Sequence, residues 1–230
     1  MQAVVLNEIP ARLDLDELRR RLHVAEGTPP ARELAGLVRE AESVAQPKAL
    51  TGLAGVDQRG EEHVVVDGVR FVSRVLAVNL SHANRVFPYL ATCGVELDAW
   101  AAGFDDVLYR FWSEAIREAA LRLAMAAVGD YLERTYAPGN LARMSPGSLA
   151  DWPIEQQLPL FSLLGEAEAR VGVHLTPGLL MVPSKSVSGI RYPTADSFES
   201  CMLCPREGCP NRRAPHLREL YDRRYRKVEA

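Results

Sequence analysis

Near Glu96 the hydrophobic period of this chain changes, and that change bounds the folds open to it. Before it, apolar residues fall in short runs cut by turn signals. The runs are residues 50–56, a turn at Gln58-Arg59-Gly60, residues 62–66, a turn at Asp67-Gly68, and residues 71–78. Runs and turns of this kind predict a β-meander. Residues 86–92 predict one more buried strand, running into Cys93-Gly94. Beyond Glu96, Leu97, Trp100 and Ala101 begin a helix interrupted near Gly103, and a long helix is expected from about 105 to 136. Its inner positions Ala119, Ala120, Leu123, Ala126, Ala127 and Asp130 are mostly small. Small residues let another backbone approach closely, which suits a central buried helix. A high-propensity helix with alanine as filler accounts for the composition nearly as well.

The flanking segments carry their own punctuation. Asp14 is placed to cap a short helix, and Gly27-Thr28-Pro29-Pro30 starts a second. In that second helix Leu34, Leu37, Val38, Ala41 and Val44 follow helical spacing, and Pro47 stops it. Pro153 suits the first turn of a helix over 154–164 that ends at Gly165. Residues 171–175, 179–182 and 186–192 predict strands, and 215 to about 227 a final helix. The fold class expected is α+β: an antiparallel or mixed sheet with a long central helix and flanking helices. Residues 1–92 hold the N-terminal helices and meander, part of the same domain as a core over 93–200. Residues 201–230 form a cysteine-bearing segment and the C-terminal helix.

Hydrophobic residues make up 47% of the chain, enough for a substantial core. The formal charge of −3 argues against nucleic acid as a partner, because phosphate binding calls for a concentrated basic face. The arginine-rich tail over 212–227 is diluted by Glu219 and Asp222 and reads as a solvated helix face. No secretory leader and no membrane-length apolar run is visible, so the expected location is the cytoplasm, where thiols stay reduced. In that setting four cysteines point to metal or redox chemistry more than to disulfides. Cys201, Cys204 and Cys209 form a C-x2-C-x4-C array awaiting a fourth ligand. Three readings stay open: an iron–sulfur cluster, of the 4Fe–4S type, with Cys93 as fourth ligand; structural zinc, for which His216 could be the fourth; or free thiols. The five histidines are scattered, with His63 and His174 reading as packed or solvated side chains, and no nucleophile–base pair is suggested by spacing.

The candidate pocket lies between Tyr136 and Gly189. Pro138-Gly139 and Pro146-Gly147 fix tight turns that leave N–H groups outward, and the Ser- and Gly-rich element 184–189 has little bulk for a core. Arg143-Met-Ser-Pro-Gly-Ser148, Leu160-Phe-Ser-Leu-Leu164, Gly172-Val-His-Leu-Thr176 and Met181-Val-Pro-Ser-Lys-Ser-Val-Ser-Gly189 together carry a resemblance. The chain resembles the activation (reactivation) domain of cobalamin-dependent methionine synthase, over about its last half. There the pattern is Arg-x-x-Pro-Gly-Tyr, a helix with Leu-Leu, Leu-Thr, Met-x-Pro and Ser-Val-Ser-Gly. Thr92-Cys-Gly-Val-Glu-Leu97 is similar to an element of short stand-alone relatives. The chain departs from the pattern at Ser148, where the family keeps tyrosine, and around Phe198-Glu-Ser200, where it keeps an aromatic pair.

The resemblance implies S-adenosylmethionine binding and the reductive remethylation of cobalamin presented by a partner. That partner would be a corrinoid-binding protein or cobalamin-dependent methyltransferase, with a ferredoxin or flavodoxin as electron donor. By motif, Arg143 would pair with the methionyl carboxylate. Groups around Ser145, Pro146, Gly147 and Ser148, and in Lys185, Ser186, Ser188 and Gly189, would meet the rest of the ligand, with Asp130 on its ammonium. An iron–sulfur cluster on the cysteine array would serve as an electron relay. A gating module that covers the corrinoid without transferring methyl groups, with structural zinc, is the alternative.

Overall fold

A computed structural model describes residues 1–195, 198–209 and 212–226. The eight-stranded sheet is organised around β6 (Arg85–Thr92), of which every residue but the first is buried. β6 pairs antiparallel with β2 (Lys48–Thr51) along one side and with β10 (Ser186–Pro193) along the other, and its start meets β3 (Ala54–Arg59). β1 (Val4–Leu6) extends the sheet beyond β2, and β7 (Leu141–Met144) beyond β10. β3, β4 (His63–Val66) and β5 (Val69–Val72) form the expected meander.

Alternation along β6 divides the core in two, since successive side chains point to opposite faces. Phe87, Tyr89 and Ala91 pack with Ala124, Val128 and Leu132 of the long helix α5 (Val107–Tyr136). Val86 and Leu90 face a second layer with Trp152, Leu160, Ile190 and Tyr192. Asp106 caps α5 by accepting from the backbone N–H groups of Leu108 and Tyr109. Its buried Ala120 and Ala124 let the helix lie close on the sheet, as expected of a central helix. Ala126 and Asp130 instead face outward. The first half of α5 packs with α2 (Pro29–Val44) and α4 (Val95–Ala102) around Leu34, Leu97 and Trp112, and α1 (Leu15–Arg21) closes this cluster through Leu18. Asp14 caps α1, as its position predicts, and Thr28 caps α2.

Several elements differ from expectation. The run 50–56 breaks into β2 and β3 at Gly52, where a Cβ would lie 2.7 Å from the Gln2 carbonyl oxygen beside β1. The strand expected over 71–78 ends at Val72, and α3 (Arg74–Asn79) takes its place. Ser73 caps α3 from within, and Asp151, far along the chain, accepts from Ser73 Oγ and from the N–H groups of Arg74 at 3.2 Å and Val75 at 2.9 Å. Asp151→Ala is expected to cost about 2 kcal/mol, because it strands three donors at a partly buried helix start; urea unfolding checks this, with an unchanged midpoint as the contrary result. The helix expected over 154–164 begins as a tight turn over Ile154–Gln156 and continues as α6 (Gln157–Leu164), ending at Gly165 as predicted. α7 (Ala167–Val171) occupies the start of the run read as strand 171–175, leaving β8 (His174–Leu175), which pairs with β9 (Met181–Val182). The final helix is short, α8 (Leu220–Arg224), and Lys227 lies outside the described residues. Among the described residues no helix is long and apolar enough to cross a membrane.

Candidate functional site

Between the sheet and α5 lies a cavity of about 990 Å³. β6 contributes Tyr89, β10 Val187, the strand and turn at β7 Arg143 and Ser145, and α5 one side of its length through Glu118, Leu121, Arg122 and Met125. Arg21 of α1, Ser184 and Lys185 before β10, and Arg212 and Arg213 of the C-terminal segment complete it.

Pleating sets the floor. In β7, Ala142 and Met144 point into the core, so Arg143 points the other way, half-buried, into the cavity. Among the described residues its guanidinium makes no hydrogen bond or ion pair. Directly opposite it on β10 stands Arg191. The Arg191 guanidinium donates to the Met125 carbonyl oxygen at 3.0 Å and lies 5.3 Å from the Tyr89 ring centroid, while its Nε is buried without a partner. Burial lowers the Arg191 pKa, Tyr89 opposes that, and the Arg143 charge adds to the lowering. Like charges opposite each other on paired strands are unfavourable, so an anion between them would relieve the strand pair. Glu199 bridges to β7 at Arg143 and pairs with Arg213 at 3.0 Å. Burial raises the Glu199 pKa, and Arg143 works against that rise.

The remaining expected residues divide by the face they occupy. Ser145 lines the cavity, its Oγ 3.4 Å from the Tyr89 hydroxyl. Lys185 lines it too, paired with Glu114 at 2.8 Å. Gly189 lies beneath Tyr89 and Ser145, close enough that a Cβ would approach both. Pro146, Gly147 and Ser148 form the turn beyond Ser145, with Pro146 buried and Gly147 at φ +78 accepting no side chain without strain. The Ser148 hydroxyl donates back to the Ser145 carbonyl oxygen at 2.6 Å. Ser186 donates to Thr92 Oγ1 at 2.9 Å, and Ser188 is buried on the opposite face of β10, donating to Gln157 Oε1 at 3.3 Å. Asp130 is exposed, and twelve residues beyond Glu118 it is rotated by about 120° from the cavity side of α5. The cavity therefore gathers Arg143, Ser145 and Lys185 over Gly189, and leaves Asp130, Ser186 and Ser188 outside.

Spacing alone missed Arg21, Tyr89, Glu118, Arg122, Arg191, Arg212 and Arg213. Arg191 did carry a signal: a lone guanidinium between Ile190 and Tyr192 in an apolar strand.

The cysteine segment forms the cavity's outer neighbour. Arg212 donates to the carbonyl oxygens of Cys201 at 3.0 Å, Cys204 at 3.0 Å, Ala214 at 3.2 Å, and also Arg206. The Arg213 N–H points at Cys201 Sγ, 3.5 Å away. Cys204 packs against the core layer of Trp152, whereas Cys93 is buried in the cluster of Leu34 and Trp112. Burial, aided by the Asp98 charge, pushes the Cys93 thiol up to about 12. Among the described residues no three His, Cys, Asp or Glu side chains come together in a metal-holding group.

No family profile and no curated protein matches this sequence. Among solved structures, the crystal structure of the MetH reactivation domain bound to AdoHcy (S-adenosylhomocysteine) is similar with a TM-score of 0.59 at 17% identity. The match covers 87% of this chain and 81% of that one. The chain has the fold of that reactivation domain, α+β with an antiparallel sheet and the long helix α5.

Proposed function

We propose that the cavity over Arg143 holds an S-adenosyl amino acid and that the protein reactivates a corrinoid methyltransferase system. The observation that carries this reading is a half-buried guanidinium with no hydrogen bond or ion pair among the described residues, at the floor of a cavity of about 990 Å³, in a fold shared with a domain crystallised with AdoHcy. A carboxylate seated on Arg143 would satisfy two donors at once and relieve the repulsion from Arg191. The cavity volume is at the upper end of what small-molecule sites span. Asp130 takes no part; Ser145, Ser184 and the Tyr89 hydroxyl are the uncharged polar groups of the lining available to orient the rest of the ligand.

In the reaction so supplied, the S–CH3 bond breaks with its electron pair left on sulfur, and a pair from a corrinoid cobalt, reduced by one electron from a ferredoxin- or flavodoxin-type donor, forms the new bond. The corrinoid is substrate here, presented by a partner protein. This chain's own residues bind and orient the donor beside it. Calorimetric titration with S-adenosylhomocysteine tests the site: saturable heat at one ligand per chain is expected, and none at millimolar ligand would sink the reading. Formation of methylcobalamin on a reduced corrinoid protein then separates transfer from gating, which would bind the partner without any methyl product.

A four-thiolate cluster does not fit the residues present, because Cys93 sits in a different core cluster from Cys204. Cys93→Ser is expected to leave the iron, sulfide and zinc content of anaerobically purified protein unchanged. It should instead lower stability by about 1–2 kcal/mol, since a hydroxyl is buried where a thiol was. Loss of metal in that variant alone would restore Cys93 as a ligand.

A further inference from the structure

Beside Arg143 stands an acid that no motif marks. Glu199 forms a parallel bridge with Arg143, and the residues on either side of it, Phe198 and Ser200, are buried. Alternation that turns Ala142 and Met144 into the core and Arg143 outward therefore turns Glu199 outward beside it. The Glu199 carboxylate reaches Arg213 of the cavity lining at 3.0 Å, but that contact is not aligned as a hydrogen bond, and Oε2 is buried without one. Arg143 opposes the rise in the Glu199 pKa, so the two charges feel each other, yet among the described residues they form no ion pair. Other carboxylates around the cavity are committed. Glu118 meets Arg21 with one oxygen and Arg122 with the other, Arg122 also holds Glu17, and Glu114 is shared by Lys185 and Arg117. A buried carboxylate oxygen without a donor is costly. A ligand that brings a cationic donor and an anionic acceptor on neighbouring atoms would satisfy Glu199 and Arg143 together.

We infer that Glu199 receives the α-ammonium of the ligand while Arg143 receives its α-carboxylate, which makes Glu199 the residue that selects an amino acid over its deaminated counterpart. The inference rests on the reading of the Arg143 cavity as an S-adenosyl amino acid site. An α-amino acid carries both charges on one carbon, and bridged positions on neighbouring strands lie about 5 Å apart, a spacing that such a zwitterion spans. The ammonium supplies the charge-assisted hydrogen bond that Oε2 lacks. Glu199 lies in Phe198-Glu-Ser200, where the chain departs from the pattern it otherwise resembles, so this contact belongs to the chain's own residues.

Calorimetric titrations of the full chain with S-adenosylhomocysteine and with its deaminated analogue, the same thioether and carboxylate without the amine, test this. The parent is expected to bind S-adenosylhomocysteine about tenfold more tightly than the analogue, the loss that follows when a charge-assisted hydrogen bond is removed. Glu199→Gln should weaken S-adenosylhomocysteine by a similar factor without weakening the analogue, and so erase the preference. A merely structural role would weaken both ligands alike, and that result overturns the assignment. Should Glu199→Gln fold poorly by circular dichroism, Arg213→Gln decides. Freed of that guanidinium, Glu199 should widen the preference for the amine, and an unchanged or narrowed preference overturns the assignment. Equal binding of the two ligands by the parent overturns it as well and leaves the site reading intact. Failure of both ligands to bind the parent overturns the site reading, and the role of Glu199 with it.

Discussion

Arg143→Ala is expected to weaken S-adenosylhomocysteine binding by about 30-fold or more, the loss that follows when a buried charge-assisted pair is cut at one partner. The folded state should not suffer. Arg143 makes no hydrogen bond or ion pair within the described residues, and its removal relieves Arg191 of a like charge directly across the strand pair. The melting temperature is therefore expected to stay level or rise while affinity collapses, a combination that a residue holding the fold together would not give. Arg143→Lys should recover only part of the affinity, since an ammonium cannot make the planar two-point contact. Calorimetry and thermal unfolding on the same preparations check both halves. Parental affinity in Arg143→Ala would remove the carboxylate anchor from the proposal.

Gly189→Ala should be the most damaging small substitution in the site. A Cβ there would lie 2.3 Å from the Met144 carbonyl oxygen, 2.8 Å from Ser145 Oγ and 2.9 Å from the Tyr89 hydroxyl. The first of these is backbone on the neighbouring strand and cannot rotate away, so β7 must move off β10 and carry Arg143 and Ser145 with it. Overpacking of this kind costs about 3 kcal/mol, or roughly 6–12 °C in melting temperature for a chain of this size. Ligand affinity should fall in the same variant, because the anchor has been displaced. Gly178→Ala, where the nearest atom is 3.9 Å away, is the matched control and should be neutral. A parental melting temperature for Gly189→Ala would mean that β7 and β10 have room the distances deny.

What the sequence makes legible follows from how local each signal is. Asp14, Thr28 and Asp106 cap α1, α2 and α5 through bonds spanning two or three residues, and those helices are visible in the chain. α3 is hidden because Arg74-Val-Leu-Ala-Val-Asn79 is apolar enough for a strand; its cap Ser73 is local, but Asp151, which holds Ser73 and takes the next two N–H groups, is more than seventy residues away. β1 and β7 are three and four residues long, too short for alternation to register. In the site, Arg143 was accessible through its Pro-Gly motif, but its neighbours are not. Glu118, Arg122, Arg191 and Arg212 reach the same space from a helix, a strand and a loop, and only the tertiary fold says so. Ser188 shows the opposite error: it sits in the right motif, and the pleat turns it to the far side of the sheet.

The pairing of β10 with β6 also sets an order of events in folding. These strands lie roughly a hundred positions apart, and contacts of that span are slow because a long loop must close before any of them forms. β6 is buried along nearly its whole length, so until β10 arrives it offers an open, apolar edge. During synthesis that edge leaves the ribosome well before its partner does, and it is the segment on which a chaperone would act or an aggregate would start. Every route to a working cavity passes through that one late closure.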